Sequence, residues 1–559
     1  MRPYLNQFSK QPARFLADSP WPWTAAAFAV YFHHAQFIVT VSWNAIELII
    51  AQHLIDHGVF ATSVDYPSAI TWRPLLPTLV VTLLRLITDE PIRIYQLYAG
   101  AAVASFVAAA FLSARLLWGR GAAHLAAFLA FTCPAVTTYL INHPHSYSHL
   151  GGILFLGPAV YASLRLLKLA DEGGPVPAAR YAFAGLWWGL CYLCRAELML
   201  FCFVLLAVAA WIHVARRRPL LPLAALSGGF LAVLVPYNLY AGHVATRDGI
   251  LIRKTIYGFY ISQGWVDPPS NAGPDIEADG YVYAQRLYGT AEENGENLLK
   301  AIARNPGAFA RRVRLNLRSF YLRLWDAEFF HPWTAVAAAG LLTALATGLI
   351  PAGERKPLLF LAGLFAAAHF VVIYHIDARY LTVGMPALIL LAAGAGHHLI
   401  RAGSRLPGPV RAVLVLALLA GIGDGSRAHF ARLWRHREPN RTSVAAFRAL
   451  GEQFRQAAAG YKSRVNREPH LRFIFPAKSP LYPEDQFLLA YFSRTAWFNA
   501  GAEGPFPRGR FYSYRDCPDD FLVVPDERIG DYRLMGTSRI VSSQDNPVLG
   551  RYHLVQVRP

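Results

Sequence analysis

Apolar runs close to twenty residues long recur along the first three quarters of this 559-residue chain, and that recurrence limits its fold more than any other feature. A hydrocarbon core of about 30 Å takes about 20 helical residues to cross, and only helices or closed barrels satisfy their backbone groups inside lipid. Candidate crossings fall at roughly 23–42, 95–117, 121–138, 149–167, 181–195, 198–215, 219–240, 332–350, 357–374, 380–400 and 408–424. The segment 74–88 is shorter and holds Arg85. The expected fold is mainly α, a polytopic membrane helix bundle of about 11–13 transmembrane helices. A content of 54% hydrophobic and only 16% charged residues excludes an ordinary soluble globule. The basic start runs into a long apolar stretch without a small-residue cleavage site, which reads as a retained first helix.

A net charge of +18 could point to nucleic acid, but in a membrane chain basic loops anchor the cytoplasmic side and meet anionic lipid. No nucleic-acid partner is expected. Basic clusters stand at Arg115/Arg120, Arg165/Lys168/Arg180, Arg216–Arg218, Arg355/Lys356 and Arg401/Arg405. With all five inside, the outside loops are 43–73, 139–148, 195–197, 241–331 and 375–379, and parity requires 74–88 to dip without crossing. The alternative lets 74–88 cross and breaks the charge rule once, at Arg115 and Arg120.

From about residue 427 the apolar runs shrink to strand length ("LRFIFPA", "FLVVP", "YHLVQV"), with one helical pattern near 442–458. This divides the chain into a membrane domain, 1–426, and a soluble extracytoplasmic α/β domain, 427–559. Cys133, Cys191, Cys194 and Cys202 lie in apolar segments, where thiols behave as small hydrophobes, so Cys191-x-x-Cys194 is read as packing. No internal repeat stands out, which weighs against a repeat-built transporter.

Every outside loop in this scheme carries ionisable residues. Read as a helix, 44–57 places Ile46, Ile49, Ile50 and Leu54 on one stripe, with Asn44 and Glu47 on the other, as in an amphipathic helix lying on the membrane. Glu47 could act as a general base towards an acceptor hydroxyl; the bland reading is a solvated polar face. His143, His145 and His149 crowd the second loop as candidate substrate contacts, and a metal there is possible but short of ligands. Arg195 and Glu197 either pair with each other or meet substrate. Arg247, Arg253 and Lys254 open the long loop and suit a lipid phosphate. Near its end Phe309, Val313, Leu317, Phe320 and Leu324 form an apolar stripe beside a basic one of Arg311, Arg314 and Arg318. His375, Asp377, Arg379 and Tyr380 stand at the outer end of a crossing, where Arg379 is placed to clamp an anion.

Together "NAIELIIAQHLIDHGVF" with "TWRPLLP", "LINHPHSYSHLGGILF", "LVPYNLYAGHV" and "HIDARYLTVGMPALILLAAGAG" resemble, in order, the outer-face motifs of the GT-C glycosyltransferases. The likeness is to the bacterial relatives of protein O-mannosyltransferases and of the lipid A aminoarabinose transferase, and it spans about residues 40 to 400. It implies transfer of a sugar from a polyprenyl-phosphate-linked donor to a glycan, lipid or protein acceptor, at the outer face of the bacterial cytoplasmic membrane. By this resemblance the first-loop acid is the base, which is Glu47 or Asp65, because Asn44 occupies the usual Asp position. Arg379, Arg247, Arg253, Lys254, Arg195 and Arg73 become candidates for the donor phosphate; His143, His145, His149, Tyr237, Asn238, His375 and Tyr380 become candidates for substrate contacts. Histidines stand where the family has its second-loop acid, so no cofactor and a metal-independent mechanism are expected. A secondary transporter or flippase-like protein for a lipid-linked or anionic substrate is the competing reading.

Overall fold

The computed structural model describes residues 18–35, 41–60, 75–136, 146–172, 176–244, 256–295 apart from 257 and 268–275, 297–324, 332–346, 350–372 and 382–403. In the tail it describes short stretches between 408 and 431, then 445–456 apart from 446, 470–473, 496–497, 521–526, 539–546 and 550–556. The membrane part is helical: α1 (Trp21–His34), α2 (Val41–His57), α3 (Leu75–Arg85), α4 (Pro91–Trp118), α5 (Arg120–Phe131), α6 (Ser146–Asp171), α7 (Ala178–Cys194), α8 (Met199–Ala215) and α9 (Leu221–Val244). Four short or medium helices follow, α10 (Gln263–Val266), α11 (Ile276–Tyr288), α12 (Leu298–Arg304) and α13 (Pro306–Leu324), before α14 (Pro332–Ala346), α15 (Ala352–Val372) and α16 (Met385–Gly403). By length and composition four described helices can cross a bilayer, Pro91–Trp118, Tyr147–Asp171, Leu221–Leu239 and Thr382–Arg401. The crossing expected at 121–138 is a helix only to Phe131, broken at Thr132 and Cys133.

Side-chain contacts fix which helix ends lie together. Gln96 donates to the Phe32 carbonyl at 3.1 Å, and Gly100 abuts Phe28, so α1 and α4 run antiparallel. Ser105 donates to the Leu154 carbonyl, and Lys168 to that of Leu116, so α4 and α6 run parallel. Trp188 of α7 donates to Ser163 of α6, which in turn donates to the Ala159 carbonyl. Ser105, Ser163, Lys168 and Trp188 thus find backbone or side-chain partners inside the bundle, as a medium without water favours.

One end of the bundle collects the basic clusters. Asp171 accepts from Lys356 at 2.6 Å and Arg216 at 3.0 Å; Arg120 pairs with Asp18 at 3.3 Å; Glu354 accepts from Trp118 at 2.8 Å and faces His398 at 3.0 Å. This is the common face that the charge pattern anticipates. The ends of α1 and α4 at the opposite face are joined by 35–90, so α2 and α3 together cross an even number of times. With 11 residues, α3 is about 16 Å long and cannot span about 30 Å. Pro77 lies against Gly151 near the start of α6.

The expected surface helix at 44–57 differs in the structure. Residues Ile46 to His53 of α2 are all buried, and exposure begins only at Ile55. Glu47, Gln52 and His53 are buried along with the isoleucines, and α2 lies against α3, α4 and α6.

Helices α10–α13 have their own core of Ile256, Phe259, Tyr260, Tyr281, Tyr288 and Ala301. Burial pushes the Tyr260 hydroxyl up to about 12. Arg311, Arg314 and Arg318 are exposed, as their stripe predicts, and Arg311 pairs with Asp267 at 3.0 Å. The buried stripe of α13 is Arg312, Asn316 and Phe320, which shares only Phe320 with the apolar pattern. Arg312 takes an inward place because its guanidinium covers the Phe259 ring at 3.9 Å and donates to the Phe259 carbonyl and to Gln263, both at 2.8 Å.

In the tail β1 (His470–Phe473), β2 (Ala496–Trp497), β3 (Phe521–Pro525), β4 (Arg539–Asn546) and β5 (Gly550–Gln556) form one sheet, ordered β2-β1-β3-β5-β4. β1 is parallel to β2 and β3, and β5 is antiparallel to β3 and β4. Its lead-in reaches the membrane domain at the non-basic end: Arg448 pairs with Glu90, and Tyr31 contacts His429 at 3.0 Å. Phe447, Leu450 and Phe454 join the main core.

The parallel pair α7/α9 depends on close backbone approach. A Cβ on Gly229 would lie 2.0 Å from the Ala182 carbonyl oxygen, whereas one on the neighbouring Gly228 meets nothing within 4 Å. Gly229→Ala is expected to cost about 1–3 kcal/mol through overpacking, while Gly228→Ala is neutral or stabilising by about 0.5–1 kcal/mol. Thermal unfolding in detergent checks the pair; equal melting temperatures would contradict the proposed contact.

Candidate functional site

Opposite the basic face, the ends of α2, α4, α6 and α7 converge. Glu47 of α2 is 1% exposed, and its carboxylate lies within electrostatic reach of the Tyr98 hydroxyl of α4. Tyr98 stacks on Tyr147 of α6 (centroids 5.4 Å, planes 22° apart), and Tyr95 meets Tyr147 edge-on, also at 5.4 Å. The three rings are fully buried.

Gly151 and Gly152 permit this convergence. A Cβ on Gly151 would stand 2.7 Å from the Tyr98 oxygen, 2.9 Å from Pro77 and 3.4 Å from the Cys194 sulfur. On Gly152 it would lie 3.2 Å from the Arg195 side chain. Any larger residue would push α4 and the end of α7 away from α6.

Immediately after α7, Arg195 leaves the helical conformation (φ −154°, ψ 115°) and turns its side chain into the cluster, 7% exposed. Its Nη1 lies 2.6 Å from His149 Nδ1, and its Nε donates to Glu197 Oε1 at 2.6 Å. Arginine only donates, so His149 Nδ1 accepts and the ring proton sits on Nε2. Both readings of the Arg195/Glu197 pair were open in the sequence; the structure pairs them, and adds His149.

Tyr237 and Asn238 lie near the end of α9 at the same face. Asn238 donates to the Leu234 carbonyl at 2.8 Å, and Tyr237 meets Tyr192 of α7 edge-on at 6.2 Å. Asn44 belongs to α2, but its side chain lies outside the described residues, as do Asp65, Arg73, His143, His145, Arg247, Arg253, Lys254, His375, Arg379 and Tyr380. Thus the structure brings together Glu47, His149 and Arg195 of the expected set. Sequence reasoning missed Tyr95, Tyr98 and Tyr147. The signal available was three tyrosines at helix starts, a pattern shared with ordinary interfacial aromatic belts.

The chemistry on hand is a buried carboxylate, a histidine with a fixed tautomer and an arginine held by a carboxylate, all at one end of an apolar bundle. The Cys191 and Cys194 thiols are buried and free, in keeping with packing.

No protein-family model and no curated protein matches the sequence. Solved structures do match in shape. ArnT from Cupriavidus metallidurans bound to undecaprenyl phosphate has a TM-score of 0.53 at 15% identity, covering 95% of this chain and 97% of that one. An oligosaccharyltransferase from Archaeoglobus fulgidus, in complex with zinc and sulfate, has a TM-score of 0.52 at 15% identity, covering 91% and 68%. The arabinofuranosyltransferase AftD from Mycobacteria has a TM-score of 0.50 at 13% identity, covering 96% of this chain and 40% of that one. The chain has the GT-C fold that its outer-face motifs resemble.

Proposed function

We propose that this protein is a membrane glycosyltransferase that moves a sugar from a polyprenyl-phosphate-linked donor to an acceptor hydroxyl on a glycan, lipid or protein. The observation that carries the reading is the burial of Glu47 on α2, which packs against α4 and α6 at the bundle end that also holds His149 and Arg195. A buried acid in a membrane protein costs free energy and persists where it is used. The names of the structural neighbours support the same class, one being bound to undecaprenyl phosphate and another an arabinofuranosyltransferase.

In this reading Glu47 takes the proton of the acceptor hydroxyl as the glycosidic bond to phosphate breaks. The leaving phosphate gains charge, and fixed donors stabilise it. Arg379 is the leading candidate, with Arg247, Arg253, Lys254 and Arg73 as further ones. Arg379 precedes by three residues the turn Thr382–Gly384, which packs on α6, the helix carrying His149. Arg195 is less suited to the phosphate, because its guanidinium is already committed to Glu197 and His149. Asp65 and Asn44 are the alternatives for the acid's role or its support. No cofactor is part of the proposal. The basic face is assigned to the cytoplasm by the positive-inside rule, which puts the site and the C-terminal sheet at the outer side of a bacterial cytoplasmic membrane.

Two experiments test this. Glu47→Gln, purified and supplied with polyprenyl-phosphate sugars, is expected to lose about 10²- to 10⁴-fold in turnover with donor binding nearly unchanged; wild-type turnover would remove Glu47 from the base role. For orientation, in a Cys517→Ser background, Asp56→Cys should react with an impermeant maleimide on intact spheroplasts and Arg217→Cys only after the inner face is opened. The reverse pattern would put the site in the cytoplasm.

A further inference from the structure

The C-terminal sheet holds a polar array that the proposed glycosyl transfer does not use. On β5, His553 is buried, and both of its ring nitrogens are engaged: Nδ1 lies 2.8 Å from Ser543 Oγ of β4, and Nε2 lies 2.7 Å from Asp526 Oδ1, just past the end of β3. The register makes this arrangement a property of the sheet. Ser543 is the direct cross-strand partner of His553, and Val524, two residues before Asp526, is its partner on the other side.

The direction of each hydrogen bond follows from the groups involved. An ionised carboxylate only accepts, so Nε2 carries the proton and donates to Asp526. Nδ1 is then the lone-pair nitrogen, and the Ser543 hydroxyl donates to it. A hydroxyl aimed at the free lone pair of an imidazole, whose other nitrogen is held by an acid, is the arrangement that activates an oxygen nucleophile. The two nitrogens are exchanged relative to the familiar serine-protease order, because a cross-strand serine approaches the ring from its backbone side.

Two further features suit the role. Ser543 is exposed while its base is buried, so a substrate can reach the oxygen without reaching the imidazole. Among the described strands β4 is at the sheet edge, with a bulge between Ile540 and Ser542. Along an edge strand successive N–H groups alternate between the partner and open space. Either Ser543 or its immediate neighbours therefore present an outward N–H close to the hydroxyl, where an oxyanion would form.

We infer that Ser543, His553 and Asp526 form a second, esterase-type site that takes O-acyl esters. Ser543 Oγ attacks the acyl carbon, and its proton passes to His553 Nδ1. The ester C–O bond breaks, and the leaving alcohol takes that proton. Water then attacks the acyl-serine, again giving a proton to His553, and releases the carboxylic acid and free Ser543. Asp526 acts as a positioning residue by holding the tautomer. This site stands independently of the glycosyltransferase reading, since it shares no residue with it.

The test uses the full-length protein in detergent micelles, a fluorophosphonate probe and p-nitrophenyl acetate. The expected result is covalent labelling mapped by peptide mass spectrometry to Ser543, together with ester turnover that falls at least tenfold in Ser543→Ala. Glu47→Gln should label like wild type. Asp526→Asn should lower kcat at least tenfold with KM for p-nitrophenyl acetate unchanged, a split that a merely structural role would not produce. Ser543 is exposed, so Ser543→Ala is expected to keep the wild-type melting temperature. Absence of probe on Ser543 in folded wild-type protein, or equal turnover in Ser543→Ala, would overturn the inference and leave His553 as a clamp between strands.

Discussion

The apolar slab through which the bundle passes governs the rest of this molecule. Lipid offers no partner to a polar group, so charge moves to the two ends, and whatever polar chemistry stays between them is bonded internally. The basic end shows what that sorting looks like when the purpose is anchorage. Asp171 at the end of α6 is held by Lys356 of α15 and by Arg216 just past α8, and Glu354 ties Trp118 to His398. Asp171 and Glu354 are thus matched by partners from other segments, which fastens the helix ends together.

The opposite end is built differently. Glu47 is drawn into the protein on a helix buried along much of its length, and three tyrosines, one histidine and one arginine close around the same place. Two short elements make this possible. The short α3 packs on α2, which also lies against α4 and α6. Glycines at 151 and 152 bring α6 within contact of Tyr98 and Arg195. The segment that leads into the C-terminal sheet is joined to this end through Arg448, Glu90 and the apolar side chains around Phe447.

Much of this was legible in the chain. Recurrent apolar runs gave the bundle, clustered arginines gave the common face, and short β-type runs gave the terminal sheet. The pairing of Arg195 with Glu197 was one of two readings open at that point. The burial of α2 was not legible, because its interior mixes isoleucines with Glu47, Gln52 and His53 in a pattern that fits either a lipid surface or a protein interior. The inward turn of Arg312 was hidden for a related reason: an arginine beside Arg311 and Arg314 reads as one more exposed cation until Phe259 is known to lie beneath it. The partnership of Ser543, His553 and Asp526 depends on strand register, which short strands separated by loops do not announce.

The sequence by itself determined the class of the molecule, its charge asymmetry and the stretches from which a site could be drawn, since these follow from hydrophobic length and from where ionisable residues are tolerated. Only the tertiary structure decided which of those residues meet. Glu47, Tyr98 and His149 come from three separate helices and Arg195 from the residue just past a fourth, and their proximity rests on helix crossings and glycine contacts between segments as far apart as 148 positions, a distance over which local sequence pattern carries no geometric information.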